Sequence, residues 1–179
     1  MTDKRIKVLI SEEKIAQKIS ELADIINKDY CNKSVKLICV LTGGIIFMSD
    51  LIKKINLDIK IDFISVSSYG ASTKSGGNVK ITRDVKNRIT GEHVLLIEDI
   101  VDSGLSLCYL KGHLLKQKPA SLKICTLLDK PERRIKDITP DYIGFTIPNE
   151  FVIGYGLDYD QRYRNLPYIG ILPDELIKD

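Results

Sequence analysis

The chain has 179 residues, the size of one domain, so a second, separate substrate lobe is not expected. At 44% hydrophobic and 28% charged residues it holds enough apolar material to bury a core unaided, and too much to stay disordered. The formal charge of +3, from 27 basic and 24 acidic side chains, is too small a bias to argue for a nucleic-acid or membrane partner.

In chain order, the N-terminus opens Met1-Thr2-Asp3-Lys4-Arg5 and reaches no apolar stretch of signal-peptide length, and no later segment has the ~18 apolar residues that cross a bilayer. A cytoplasmic protein is expected. Ser11 followed by Glu12 and Glu13 marks a helix start, where a hydroxyl caps free amides and carboxylates meet the positive end of the dipole. Ile15, Ile19, Leu22 and Ile26 then recur at helical spacing. Four short, mainly apolar runs follow: Val35 to Leu41, Ile59 to Val66, His93 to Ile97 and Leu122 to Leu128. Predominant apolarity is what a strand covered on both faces requires, as in a parallel sheet flanked by helices. Helix-length segments, Ile45 to Ile55 and Leu105 to Lys118, lie between these runs, so strands and helices alternate in the α/β manner and ligands should gather at the carboxyl ends of the strands.

Residues 70–78 read Gly-Ala-Ser-Thr-Lys-Ser-Gly-Gly-Asn, without a large apolar side chain, and taken alone are equally a slack surface loop or a lid. Beyond Lys130 the prolines at 131, 140 and 148 divide short elements, and an aromatic-rich stretch runs from Phe151 to Tyr168. A few small strands forming a hood beside the main sheet are expected there. The cysteines at 31, 39, 108 and 125 lie far apart with no Cys-x-x-Cys pair, so reduced thiols are the simplest reading, and two histidines leave no His-rich metal site.

The most informative stretch is Val94-Leu95-Leu96-Ile97-Glu98-Asp99-Ile100-Val101-Asp102-Ser103-Gly104-Leu105-Ser106. An apolar strand runs into two adjacent carboxylates, then a third, then a serine-glycine turn that opens a helix. From Val94 to Leu110 there are three acids and no lysine or arginine. Backbone amides from Asp102 through Ser103, Gly104 and Leu105 to Ser106, the two hydroxyls and the positive helix end suit a phosphate. Glu98 and Asp99, acceptors only when ionised, suit sugar hydroxyls or a hydrated Mg²⁺. Phosphate beside hydroxyl-binding carboxylates describes a ribose 5-phosphate. The bland alternative is a capped strand-to-helix turn with solvated acids. A Walker loop is excluded, because its glycine run and terminal lysine are missing.

These residues resemble the phosphoribosyl-pyrophosphate signature of the type I phosphoribosyltransferases, and within them the hypoxanthine-guanine phosphoribosyltransferases of purine salvage. The resemblance continues through Leu41-Thr42-Gly43-Gly44, Ser68-Tyr69, Leu128-Asp129-Lys130, and Phe151 to Asp158 and Arg164, covering nearly the whole chain. It implies the type I fold: one domain over 1–179, a central, mainly parallel sheet flanked by helices, a flexible lid at about 68–81, and a hood built from the N-terminal segment and about 130–179.

It also implies the reaction: transfer of 5-phosphoribosyl from phosphoribosyl pyrophosphate to N9 of hypoxanthine or guanine, giving IMP or GMP and pyrophosphate with Mg²⁺ as cofactor. Asp102 then resembles the acid/base residue near N7. Lys130 resembles the donor to O6, Phe151 the ring that stacks on the purine, and Val152 the backbone that reads the base edge. Glu98 and Asp99 take the ribose and metal, Ser103 to Ser106 the phosphate, Thr42 and Gly43 the pyrophosphate through main-chain amides, often beside a non-proline cis peptide. Asp158 resembles a ligand of a second Mg²⁺, Arg164 a pyrophosphate-binding arginine, and Ser68-Tyr69 the head of the lid. Thr42 stands where many relatives carry lysine, and Leu105 where some do. The bland alternative for Lys130 is a solvated basic cluster with Arg133 and Arg134; that for Asp160, Arg162 and Arg164 is a set of surface ion pairs. Relatives are usually dimers or tetramers, so a homodimer or homotetramer without nucleic acid or membrane is the implied assembly. The rival from another class is a phosphoribosyl-pyrophosphate-sensing regulator of the same fold that binds nucleic acid; it calls for a basic face or an added module. An adenine or pyrimidine phosphoribosyltransferase would share the loop from Glu98 to Ser106 but not Lys130 with Phe151-Val152.

Overall fold

The computed structural model describes residues 5–69 and 78–177. Six strands form the main sheet in the order β4-β3-β2-β5-β6-β7, where β2 is Val35–Leu41, β3 Ile59–Tyr69, β4 Asn78–Arg83, β5 His93–Val101, β6 Ser121–Asp129 and β7 Tyr142–Thr146. Strands β3, β2, β5, β6 and β7 run parallel, and β4 closes one edge as an antiparallel partner of β3. The mainly apolar runs are explained by cover on both sides. Leu37, Cys39, Leu95 and Ile97 face one core with helices α1 (Glu12–Asp29) and α2 (Ile45–Ile52), while Ile38, Val40, Val94 and Leu96 face a second core with α3 (Leu105–Leu115). Helix α1 begins as its sequence dictates: Ser11 Oγ accepts the Lys14 amide at 3.4 Å, and Ile15, Ile19, Leu22 and Ile26 are buried.

A smaller antiparallel sheet, β1-β9-β8, joins the two ends of the chain, pairing β1 (Lys7–Ile10) with β9 (Ile169–Ile171) and β9 with β8 (Val152–Ile153). This hood docks on the main body where the Tyr155 hydroxyl donates to Asp50 of α2 at 2.6 Å. Two expected boundaries move. Tyr142–Thr146 belongs to the main sheet rather than to the hood, because its apolar residues pair with β6. The stretch expected as a lid at about 68–81 is largely hairpin at its two ends, with Tyr69 opposite Asn78 and Ser67 opposite Lys80. Residues 70–77, and the side chains of Ser68 and Tyr69, lie outside the described residues.

The chain leaves β2 towards β3 on one side and leaves β5 towards β6 on the other, so the loops after β2 and β5 diverge. Such a switch point opens a crevice at the carboxyl ends of the strands.

Candidate active site

Three groups of residues line that crevice. The first is the end of β5. Glu98 is 8% exposed and sits beside Asp99; burial, then the neighbouring charge, raises its pKa well above the ordinary carboxylate range. The Asp99 carboxylate accepts the Ile100 amide at 2.8 Å. Gly104, at φ 78°, is the residue that caps α3; neither Asp102 nor Ser103 caps it by side chain, although Ser103 Oγ takes the Leu105 amide at 3.4 Å. Only glycine adopts that φ freely, and a Cβ there would fall 2.8 Å from Ile138. A cavity of about 110 Å³ is bounded by Glu98, Asp102, Ser103, Gly104, Ser106 and Leu107; Leu105, the first residue of α3, does not line it.

The second group centres on Gly43. The Leu41–Thr42 peptide is cis. A Cβ on Gly43 would lie 1.6 Å from Asp99 Oδ2, so this loop rests directly against the β5 carboxylate. From the other side comes the hood: a Cβ on Gly156, at φ 102°, would lie 2.1 Å from the Gly43 carbonyl oxygen. Arg164 holds that hood turn, donating to the Gly156 carbonyl at 2.7 Å and pairing with Asp158 at 2.7 Å. Asp158 also accepts the Gln161 amide at 2.9 Å. Gly43 thus lies between Asp99 of β5 and the hood turn that Arg164 and Asp158 hold, three parts distant in the sequence.

The third group is a wall at the end of β6. Lys130 is 7% exposed, its Nζ donates to the Glu150 carbonyl at 2.5 Å, and burial lowers its pKa from the usual lysine value. Glu150 leads directly into Phe151, whose ring is 42% exposed and meets Tyr159 edge-on at 5.8 Å, and into buried Val152. An exposed phenyl beside a buried, donor-only ammonium is a surface prepared for a flat ring carrying an oxygen.

The carboxylates of this crevice fit Mg²⁺ by donor chemistry. Glu98 and Asp99 offer hard oxygens in an otherwise costly arrangement that a divalent cation would relieve, and magnesium commonly takes one or two carboxylates with substrate oxygens and water. Among the described residues no three metal-ligating side chains cluster, so Asp158 stands apart from the β5 pair.

The sequence assigns Arg133 and Arg134 no role, a solvated cluster with Lys130 being only the bland alternative; in the structure both bind the loop: Arg133 Nε lies 3.1 Å from Asp102 Oδ1, and Arg134 Nη1 donates to the Asp102 carbonyl at 3.0 Å. The available signal was their distance of three and four residues from Lys130, close enough for one short turn to carry all three to the same loop.

Residues 9–160 match the phosphoribosyl transferase domain family. The chain is 50% identical over 170 residues to hypoxanthine-guanine phosphoribosyltransferase of Streptococcus thermophilus, covering 95% of this chain and 94% of the relative. It is 52% identical over 166 residues to the enzyme of that name from Bacillus subtilis, covering 93% and 92%. A crystal structure of hypoxanthine phosphoribosyltransferase from Staphylococcus aureus superposes with a TM-score of 0.93 at 47% identity, covering 97% of this chain and 94% of that one.

Proposed function

The chain belongs to the phosphoribosyl transferase family, and from that membership we infer the chemistry of its crevice: it is a purine-salvage phosphoribosyltransferase that joins phosphoribosyl pyrophosphate to hypoxanthine or guanine. The observation that carries the residue assignment is the loop from Glu98 to Ser106, where the buried carboxylate of Glu98 and the half-buried one of Asp102 adjoin a cavity at a helix start.

In the reaction the bond from C1′ to pyrophosphate breaks, N9 of the base bonds to C1′, and the base gives up a proton. Asp102, 41% exposed at the cavity mouth, accepts that proton at N7. Its ion pair with Arg133 is partly solvated, worth ~0–1 kcal/mol, and is readily exchanged for a substrate contact. Lys130 exchanges the Glu150 carbonyl for O6 of the base; having no acceptor, it rejects the 6-amino group of adenine. Phe151 covers the purine face and the Val152 main chain reads its edge. Glu98 and Asp99 hold the ribose hydroxyls, Ser103 to Ser106 the 5′-phosphate, and the Thr42-Gly43 main chain with Arg164 the pyrophosphate. Mg²⁺, when bound at Glu98 and Asp99 and at Asp158, supplies charge neutralisation for the departing pyrophosphate.

The chain works in the cytoplasm. Among the described residues no helix is long and apolar enough to span a membrane. It assembles as a homodimer or homotetramer; exposed Ile45 and Ile46, directly after the Gly43 loop, support self-association. It acts on small molecules and binds no nucleic acid. The test is nucleotide formation with Mg²⁺, phosphoribosyl pyrophosphate and each of hypoxanthine, guanine, xanthine, adenine and uracil. Turnover of the first two is expected; turnover of uracil alone, or of none, contradicts the assignment.

A further inference from the structure

An amide hydrogen is aimed by fixing its peptide plane, because in a planar trans peptide the carbonyl of one residue and the N–H of the next point in opposite directions. The loop after β5 fixes three such planes in a row. The Val101 carbonyl accepts the Lys130 amide at 2.9 Å, and the Ser103 carbonyl accepts the amides of Ile135 and Lys136 at 2.9 and 3.1 Å. Between them, the Asp102 carbonyl is held by Arg134 Nη1 at 3.0 Å. All four donors come from one segment, 130–136. The amides of Asp102, Ser103 and Gly104 therefore face away from it, and none of the three has an acceptor among the described residues.

Two of the planes are held by main-chain amides, which any sequence would supply. The middle one depends on a side chain. We propose that Arg134 is a positioning residue that aims the Ser103 amide, and with it the run Asp102 to Gly104, at the 5′-phosphate of phosphoribosyl pyrophosphate; this rests on reading that loop as the phosphate site. The guanidinium is well suited to the task. Its second arm is ion-paired to Asp129, the two side chains being 15% and 10% exposed, and its Cδ packs 3.1 Å from the Cβ position of Gly104. A rigid fork bridges both acceptors at once, as a lysine ammonium on a flexible stem does poorly. Its donors point at a carbonyl and a carboxylate, so Arg134 acts on the phosphate through the loop.

The inference is tested by steady-state kinetics and by the affinities for IMP and for inosine, which lacks the phosphate. Arg134→Met should raise the KM for phosphoribosyl pyrophosphate by about tenfold or more, the loss of roughly one charge-assisted contact, while the KM for hypoxanthine moves less than about threefold. The preference for IMP over inosine should shrink by a similar factor, and Arg134→Lys should restore part of it. Because Arg134→Met orphans the Asp129 carboxylate, the double variant Arg134→Met/Asp129→Asn is measured beside it, with the same split expected. An unchanged phosphoribosyl-pyrophosphate KM in a folded variant, or equal rises in both KM values, overturns the proposal. Ser106→Asp separates it from the reading beneath it. If that added charge leaves IMP affinity intact, the loop is not the phosphate site and both fall; if it weakens IMP while Arg134→Met does not, only the role of Arg134 falls.

Discussion

The loop after β5 and the hood turn from Gly154 to Arg164 both border the crevice, yet they are built in opposite ways. The first is contiguous in sequence and rests on strands of the buried sheet, with Leu95, Leu96 and Ile97 fully buried behind it and a neighbouring segment holding its carbonyls. The second is shaped by local backbone: Tyr155, Asp160, Gln161 and Tyr163 all have positive φ, as do Gly154 and Gly156, and its hydrogen bonds run mostly within itself. On the proposed function, the phosphate and ribose would meet the loop held by the sheet, and the pyrophosphate the turn held by its own backbone bonds.

That contrast predicts where substitutions bite. Asp102→Ala should lower kcat by at least about 10²-fold with the fold intact, since general acid-base help is worth ~10²–10⁴; an unchanged kcat removes Asp102 from the mechanism. Gly43→Ala should be nearly as damaging, because its methyl would enter the Asp99 carboxylate; displacement of packed groups costs ~1–3 kcal/mol. Wild-type activity would mean the two loops are not in contact during turnover. Lys130→Ala should raise the KM for hypoxanthine by about tenfold, the worth of one charge-assisted hydrogen bond, and relax rejection of adenine. Intact selectivity in the same assay would mean O6 is read elsewhere.

The smallest effect concerns stability. The folded protein binds a proton at Glu98 more tightly than the unfolded chain does, so its stability falls as pH rises above the ordinary carboxylate pKa, when ionisation in the buried site begins to oppose folding. Glu98→Gln should therefore raise Tm in metal-free buffer, by about 2–4 °C per kcal/mol relieved, more at pH 7 than at pH 4.5, while reducing activity. Equal Tm values at both pH values would show that Glu98 carries no such strain.

The same contrast explains what could be read from sequence. Strands β2, β5 and β6 announced themselves by short runs rich in apolar residues, and α1 by its cap and periodicity, because each signal is local. The loop from Glu98 to Ser106 was legible for the same reason. Strand β4 was not: Asn78–Arg83 is a polar edge strand whose identity comes from pairing with β3. The hood pairs Lys7 with Ile171, ends of the chain that no local pattern connects. Arg133 and Arg134 look solvated in sequence because the loop acceptors they share, a carboxylate and a carbonyl of Asp102, lie some thirty residues upstream, although Arg134 also pairs with nearby Asp129.

Binding of IMP followed by crystallography tests the central claim most directly. The account predicts the 5′-phosphate against the amides of residues 103–106 and the ribose hydroxyls within hydrogen-bond reach of Glu98 and Asp99. A phosphate bound anywhere else, with that loop empty, would contradict it.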